Sequence, residues 1–250
     1  MKSFIIGIAG AKNSGKDTIA SMINYIFAVG VTRATYGDYL IKKVKIDNTN
    51  ADRVVNLADN MKDAMSIIFG IPRCTFNDRQ KKDNAYWDYF NKTFVSFADV
   101  IRDNDALVIH NTDELYYTNP LSEIIKFAIK EHKHLYIKVR TLMQYFGTDI
   151  CRYFLDEDIW IRSAMVKIAN VAAARRLCII PDVRFANEAE AIRFVDSPLY
   201  GGVIKVNRDN DDSSKHSSEI IDFTVDFEID NDGTLMQLFY KVLEICQTLV

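Results

Sequence analysis

Residues 3–18 read SFIIGIAGAKNSGKDT, an apolar run followed by a turn rich in glycine and lysine. The run from Ser3 to Ala9 carries no charge, which is typical of a strand buried on both faces of a parallel sheet. From Asp17 to Phe27 the apolar residues recur at helical spacing, so a helix follows the turn. The order strand, turn and helix favours an α/β fold.

The turn between this strand and this helix has the composition of a phosphate-binding loop. Gly10 and Gly15 allow backbone N–H groups to approach an anion closely, and the N-terminus of the helix favours negative charge. Lys16 has the spacing of the lysine that reaches the outer phosphates of a nucleotide. Asp17 replaces the usual Mg²⁺-binding Ser or Thr, and Thr18 follows one position later. A chance glycine–lysine turn is the alternative, but the flanking strand and helix favour phosphate binding.

The composition is that of an ordinary globular protein. The chain has 250 residues, of which 48% are hydrophobic and 26% charged, so disorder and coiled coil are excluded. Its net charge of −3 lacks the basic excess typical of proteins that bind nucleic acid or anionic membranes. The four cysteines have neither metal-ligand nor redox spacing, and no signal peptide or membrane span is evident. We therefore expect a cytoplasmic protein.

Apolar patterns predict the other elements of a mainly parallel central sheet flanked by helices. We expect one domain over residues 1–250, with an inserted, largely helical region at about 70–135. The predicted strands are Asp52–Asn56, Leu177–Ile180, which Pro181 would end, Gly202–Val206 and Val225–Ile229. The predicted helices are Asn60–Phe69, Val139–Leu155, Ile159–Arg175, Asn187–Val195 and Gly233–Leu249. The segment Arg208–Ser218 is predicted to be a polar loop.

A second group of polar residues follows the buried strand at Leu177–Ile180. The carboxyl end of such a strand is where an open parallel sheet binds its ligands. Asp182 would hold Mg²⁺ or orient an arginine, Arg184 would bind a phosphate, and Glu188 would face the same crevice. The alternative is a structural ion pair that caps the following helix.

A third group lies in the predicted helix Val139–Leu155. Arg140 and Gln144 share one helix face, and Gly147 lies one turn further along, beside Thr148. An arginine for phosphate, a glutamine for a base edge and Trp160 for stacking would suit a nucleotide. An amphipathic helix that tolerates a glycine is equally compatible with the spacing.

Five motifs in this order resemble those of the deoxynucleoside monophosphate kinases of large tailed bacteriophages, over most of the chain. They are Gly10-x4-Gly15-Lys16-Asp17-Thr18, Leu57-Ala58-x3-Lys62-Asp63-Ala64, Arg140-x-Leu142-Met143-Gln144-x2-Gly147-Thr148-Asp149, Pro181-Asp182-x-Arg184 and Asn231-Asp232-Gly233-Thr234-Leu235.

The resemblance implies a single P-loop kinase domain whose inserted region at about 70–135 binds the acceptor or forms a lid. It implies transfer of the γ-phosphate of ATP to a deoxynucleoside 5′-monophosphate, with Mg²⁺ as cofactor. The implied ATP-binding residues are Lys12, Asn13, Ser14, Gly15, Lys16, Asp17, Thr18, Arg208, Asn231, Asp232 and Gly233. The implied residues for the monophosphate are Lys62, Arg140, Gln144, Gly147, Thr148, Trp160, Asp182, Arg184 and Glu188. The implied catalytic residues are Lys16, Asp17, Arg140, Asp182 and Arg184, and Asp17 and Thr18 are the implied metal ligands.

Two other functions remain open at this point. A P-loop kinase for another small metabolite, such as a phosphomevalonate-type acceptor, would share the Gly-Lys-Asp sequence but would give no obvious use to Gln144 and Trp160. A non-catalytic regulatory module would bind ATP without transferring phosphate. The expected partners are ATP and deoxynucleoside monophosphates, without nucleic acid or membrane; a homodimer is one candidate for the oligomeric state, which the sequence leaves open.

Overall fold

The computed structural model describes residues 2–112, 114, 121–195, 199–208 and 221–250. In chain order, the strands in these ranges are β1 (Ser3–Gly10), β2 (Ala85–Asp88), β3 (Thr93–Ser96), β4 (Ala106–Ile109), β5 (His134–Lys138), β6 (Leu177–Val183), β7 (Leu199–Asn207) and β8 (Phe227–Asp230). The α-helices there are α1 (Lys16–Val29), α2 (Tyr36–Thr49), α3 (Asp59–Phe69), α4 (Arg79–Asn84), α5 (Phe97–Val100), α6 (Leu121–Glu131), α7 (Val139–Gln144), α8 (Ile159–Arg175), α9 (Ala186–Arg193) and α10 (Leu235–Leu249). Within the same ranges, no helix combines the length and the hydropathy needed to cross a membrane.

The chain divides into two compact units, which we describe separately. The first unit consists of Met1–Ala58 and Trp160–Val250, and the second of Asp59–Ile159. In the first unit the strand order is β6-β1-β7-β8, and every pair is parallel. The predicted mainly parallel α/β sheet is therefore confirmed.

β1 is buried on both faces, as its uncharged sequence predicts. Because successive side chains point to opposite faces, Phe4, Ile6 and Ile8 join one apolar core, with residues of α1 and α10. Ile5 and Ala9 join the other core, with residues of α8 and α9. Helices thus cover both faces of the sheet, which is why apolar and polar residues do not alternate along β1.

Two predictions, one about β6 and one about the segment that bridges to it, were wrong. Residues 52–56 do not form a regular strand, because Ala51–Arg53 is a 3-10 turn and only Val54 bridges to Ile179. Pro181 does not end β6, which continues to Val183. The register between β1 and β6 shifts at this point, so the irregularity accommodates a residue that has no N–H to donate.

The second unit contains, besides its helices, a mixed sheet that the prediction of a largely helical region at about 70–135 did not include. The strand order is β3-β2-β5-β4, with β4 and β5 parallel and the other pairs antiparallel. Tyr86 and Tyr136 pack with Val100 in a small core beside this sheet. The strands are only four or five residues long, and such short aromatic-rich segments give little periodicity to read.

The predicted helix Val139–Leu155 consists of two helix types. After α7 the chain continues as a π-helix over Tyr145–Leu155. The three- and four-residue apolar spacing predicted a helix correctly, but it does not distinguish the two hydrogen-bond patterns.

Neighbouring glycines in β7 provide a test of how closely α9 packs on the sheet. A Cβ at position 201 would overlap the backbone carbonyl of Ile192, whereas the nearest atom to one at position 202 is Asp226 Oδ2, 3.9 Å away. We expect Gly201→Ala to lower the free energy of unfolding by about 1–3 kcal/mol, as overpacking does. Gly202→Ala is the matched control, and urea denaturation is the measurement. Equal stabilities of the two variants would contradict the packing described.

Candidate functional site

The carboxyl ends of the parallel strands of the first unit meet at one edge of its sheet. The residues that directly follow β1, β6, β7 and β8 include the loop before α1, Arg184, Arg208 and Asn231. These are residues that the sequence predicts for nucleotide binding, although Ser14 in the loop and Asn231 lie 217 positions apart in the chain. In an open α/β sheet this edge is the usual place for a ligand.

The loop between β1 and α1 needs glycine at two positions. Gly15, the N-cap of α1, has φ of +103°, and a Cβ there would lie 2.5 Å from Asn231 Nδ2. A Cβ on Gly10 would lie 2.8 Å from the carbonyl oxygen of Val206. Any other residue would therefore be strained at Gly15 and would displace a neighbour at either position.

Cationic and donor groups converge on this loop. Lys16 Nζ donates to the carbonyl oxygens of Gly10 and Ala11, both at 2.6 Å. Ser14 Oγ is buried, and no described residue forms a hydrogen bond with it. The first N–H groups of α1 have no acceptor within the helix and carry its positive dipole end. A lysine, a buried hydroxyl and a helix N-terminus together match the requirements of a phosphate group.

Two of the predicted ATP-side residues contact the loop directly. Asn231 Nδ2 donates to the carbonyl oxygen of Ser14 at 2.7 Å, and Arg208 Nη1 lies 3.4 Å from that of Asn13. Asp232 and Gly233, next along the chain, lead into the capping box that starts α10. The remainder of the predicted polar loop, from residue 209 to Ser218, lies outside the described residues.

Asp182, near the carboxyl end of β6, forms hydrogen bonds with the segment that follows Val54. Its two carboxylate oxygens accept hydrogen bonds from the backbone N–H groups of Leu57, at 2.9 Å, and Ala58, at 3.0 Å. The irregular register at this end of β6 is a common way to re-aim a side chain beside a site. Direct binding of Mg²⁺ or nucleotide by Asp182 stays a prediction; the structure shows it positioning the backbone of a sequence motif.

Glu188 caps the N-terminus of α9. It is 3% exposed, and its Oε2 accepts hydrogen bonds from the backbone N–H groups of Arg184, at 2.8 Å, and Phe185, at 3.2 Å. The alternative considered from the sequence was a structural ion pair that caps this helix; these hydrogen bonds show capping, through backbone N–H groups. A contact between Glu188 and an acceptor nucleotide stays a prediction. By holding the backbone at Arg184, Glu188 fixes where that half-buried side chain leaves the sheet.

In the second unit, two residues predicted to bind the acceptor nucleotide form hydrogen bonds with a carboxylate and an amide. Arg140 Nε bonds to Asp83 Oδ1 at 2.5 Å, with both side chains about three-quarters buried or more. Lys62 Nζ bonds to Asn77 at 3.1 Å, and Arg73 bonds to the same amide at 3.3 Å. Sequence reasoning missed Asp83 and Arg73 as candidates, because nothing in their spacing connects them to the motifs they meet.

The remaining predicted acceptor residues have different surroundings. A Cβ on Gly147 would clash with the sulfur of Met61 in α3, so packing explains this glycine without a ligand. Gln144 and Thr148 are half-buried on either side of it. Trp160 belongs to the first unit and is 9% exposed. Whether any of these residues contacts a nucleotide stays a prediction.

The cysteines do not contribute a nucleophile to this edge of the sheet. All four are free thiols, in agreement with their scattered positions in the sequence. Burial raises the pKa of Cys178 to about 12 and that of Cys246 also to about 12. Both thiols of the first unit therefore stay protonated at neutral pH and serve as small apolar core residues.

A parallel sheet with a lysine-bearing loop between its first strand and first helix is consistent with a P-loop kinase fold. The sequence model of the deoxynucleotide monophosphate kinase family matches residues 4–242. The chain belongs to this family, and it is therefore a kinase of nucleotides. It is similar to a deoxynucleoside-5′-monophosphate kinase of Escherichia phage T5, with 26% identity over 198 residues that cover 76% of this chain and 72% of the relative.

The contacts of Asp182 predict a structural effect that can be measured without a substrate. Asp182→Ala removes the acceptor of two backbone N–H groups, so we expect the free energy of unfolding to fall by about 2–3 kcal/mol. Asp182→Asn keeps one carbonyl oxygen as acceptor and should cost less. Urea denaturation of both variants is the test. An alanine variant as stable as the wild type would show that these hydrogen bonds do not hold the segment.

Proposed function

We propose that this protein transfers the γ-phosphate of ATP to a deoxynucleoside 5′-monophosphate, forming the diphosphate and ADP. An oxygen of the acceptor phosphate bonds to the γ-phosphorus, and the bond to the β,γ-bridging oxygen breaks with its electron pair left on ADP. The observation that carries the proposal is the loop at the sheet edge, where Lys16, Ser14 and the N-terminus of α1 come together. Membership of the kinase family and the name of the phage T5 relative support the class of acceptor.

The proposed reaction depends on cations more than on a base. A phosphate monoester has a second pKa of about 6, so the acceptor is already mostly dianionic at neutral pH. The barrier comes from bringing two anions together and from charge that builds on the transferring group. Lys16 would neutralise the outer phosphates of ATP. Arg184, whose backbone is fixed by Glu188, would bind a phosphate at the carboxyl end of β6.

The Arg140–Asp83 pair would prepare the acceptor side. Asp83 accepts from Nε of Arg140 and so fixes the orientation of the guanidinium plane. A fixed guanidinium meets a phosphate with less loss of side-chain entropy than a mobile one. Arg140 is therefore our second candidate for a phosphate-binding arginine, with Asp83 as its positioning residue.

Magnesium is the proposed cofactor, with few ligands from the protein. Within the described residues there is no group of three or more His, Cys, Asp or Glu side chains that could hold a metal ion. Asp17 and Thr18 occupy the first turn of α1, beside the phosphate-binding loop, and fit a site completed by phosphate oxygens and water. When bound, Mg²⁺ would neutralise part of the charge of the ATP phosphates.

ATP and deoxynucleoside monophosphates are thus the proposed small-molecule partners, and the cytoplasm of a host bacterium is the proposed setting. The rival proposals are a kinase for a different phosphorylated metabolite and a module that only binds ATP. One experiment separates all three, because they differ in whether ADP appears and in which acceptor it requires.

Lys16→Met is expected to abolish phosphoryl transfer while the protein remains folded, because the ammonium bonds to carbonyl oxygens of the loop and Lys16 belongs to neither apolar core of the first unit. The measurement is ADP release with ATP, Mg²⁺ and a panel of deoxy- and ribonucleoside monophosphates, with a sample that lacks acceptor. Acceptor-dependent ADP together with the deoxynucleoside diphosphate supports the proposal. Acceptor-independent ADP would indicate an ATPase, and ATP binding without ADP would favour another acceptor or a regulatory module.

Arg184→Ala is expected to lower kcat by about 10³-fold, which is the lower end of the range for an arginine that stabilises a transferring phosphate. The effect on ATP affinity should be much smaller. Steady-state kinetics and ATP titration measure the two effects. The matched control is Arg175→Ala, which removes only the exposed ion pair with Asp52 and should leave kcat unchanged. If Arg184→Ala unfolds the protein or matches the control, the catalytic role assigned to Arg184 is wrong.

A further inference from the structure

Helix α3 carries a lysine between two carboxylates. Asp59 lies three positions before Lys62 and four before Asp63, so the three side chains leave neighbouring parts of the helix surface. Lys62 is one of the residues that the sequence predicts for the acceptor nucleotide. Its side chain is 14% exposed, and its Nζ lies 3.6 Å from Asp59 Oδ1, beyond hydrogen-bond distance. Carboxylates so close to a lysine compete with a phosphate for its charge.

Arg73 forms hydrogen bonds with both carboxylates. Its Nη2 donates to Asp59 Oδ1 at 2.9 Å, and its Nε donates to Asp63 Oδ1 at 2.5 Å. The bond to Asp59 uses the same oxygen that faces Lys62. A planar guanidinium presents several donors in a fixed geometry, so it satisfies two carboxylates at once, which a single ammonium does less well.

A neutral amide joins Arg73 to Lys62. Asn77 Oδ1 accepts from Arg73 Nη1 at 3.3 Å and from Lys62 Nζ at 3.1 Å. An ammonium has three donors, and a bond to an amide uses one of them without neutralising the charge. The amide therefore orients Lys62, while Arg73 binds the carboxylates that would otherwise attract it.

The reversal of the chain after α3 brings Arg73 to this face of the helix. Gly70 has φ of +73°, and its N–H bonds to the carbonyl of Ser66 at 3.1 Å, which ends the helix. Ile71 and Phe76, both fully buried, anchor the returning segment. Between them, Arg73 starts a 3-10 turn. The position of the guanidinium thus follows from packing on both sides of it.

We propose that Arg73 is a positioning residue, which binds Asp59 and Asp63 and thereby keeps Lys62 available to the phosphate of the acceptor. The inference rests on the proposed function, with Lys62 among the residues expected to bind the monophosphate, and adds a residue that none of the sequence motifs contains. Two positive and two negative side chains make this set neutral. Without Arg73 the set carries one net negative charge, and Asp59 draws Lys62 into a direct ion pair that a phosphate would have to break.

Arg73→Ala is expected to raise KM for deoxynucleoside monophosphates about tenfold, the effect of weakening one charge-assisted contact, and to leave KM for ATP unchanged. The rise should be equal for all accepted bases, because the contact is with the phosphate. Steady-state kinetics measures both KM values, and thermal unfolding checks that each variant is folded. The matched control is Arg102→Ala, which removes an exposed ion pair with Asp99 in the same unit and should change neither KM.

A second substitution separates positioning from a merely structural role. Asp59 is the group that competes for Lys62 once Arg73 is gone. Asp59→Asn in the Arg73→Ala background should therefore return KM for the monophosphates to within about twofold of that of Asp59→Asn alone. A rise in KM that remains in the double variant overturns the inference. If Arg73→Ala does not fold, Arg73→Gln replaces it, since it keeps polar contacts and loses the charge; a wild-type KM in that variant overturns the inference.

Titration calorimetry in the absence of ATP keeps this test separate from that of the proposed function. Arg73→Ala should bind each deoxynucleoside monophosphate more weakly than the wild type does, and should bind the matching deoxynucleoside, which lacks the phosphate, equally well. Equal loss of affinity for both ligands overturns the inference. Acceptor-dependent turnover with equal KM values for Arg73→Ala and Arg102→Ala overturns the inference and leaves the kinase intact. No binding of any monophosphate by the wild type overturns both.

Discussion

The burial of β1 between β6 and β7 is the constraint on which the glycine-rich loop between β1 and α1 depends. Both faces of β1 are covered, and its two parallel neighbours fix its register from Ser3 to Gly10. Its carboxyl end therefore cannot shift along the sheet. The loop begins at this end of β1 and leads directly into α1. The register of β1 therefore also fixes the positions of Lys16 and of the N-terminus of α1.

Most of the polar contacts at this edge hold backbone. Asp182 accepts from the N–H groups of Leu57 and Ala58, Glu188 accepts from those at the start of α9, and Asn231 donates to the carbonyl of Ser14. A site that binds highly charged phosphates works best when its donors are fixed beforehand, since reorganisation during the reaction raises the barrier. These side chains of the sequence motifs thus hold the backbone of the loops at this edge of the sheet.

The sequence allowed correct prediction of the elements that have strong apolar patterns. The helix Ile159–Arg175 was predicted with the bounds that the structure shows, and the strand and helix around the glycine-rich loop were predicted to within three residues. Prediction was weaker where local pattern is short or ambiguous. The sheet of the second unit has strands too short to show alternation, and the continuation of β6 past Pro181 depends on a register shift against β1. The π-helix carries the same apolar spacing as an α-helix.

By itself, the sequence predicted the α/β class, the mainly parallel sheet and the loop rich in glycine and lysine, because each leaves a local pattern in the chain. Strand burial, helix periodicity and glycine spacing are all local properties. Only the tertiary structure decided that Asn231 supports the loop at Ser14, that Asp83 holds Arg140 and that Arg73 binds two carboxylates of α3. The first two contacts join residues that are distant in sequence, and the third depends on how the chain reverses after α3. Both kinds of contact are set by packing and hydrogen-bond register, which no short-range pattern encodes.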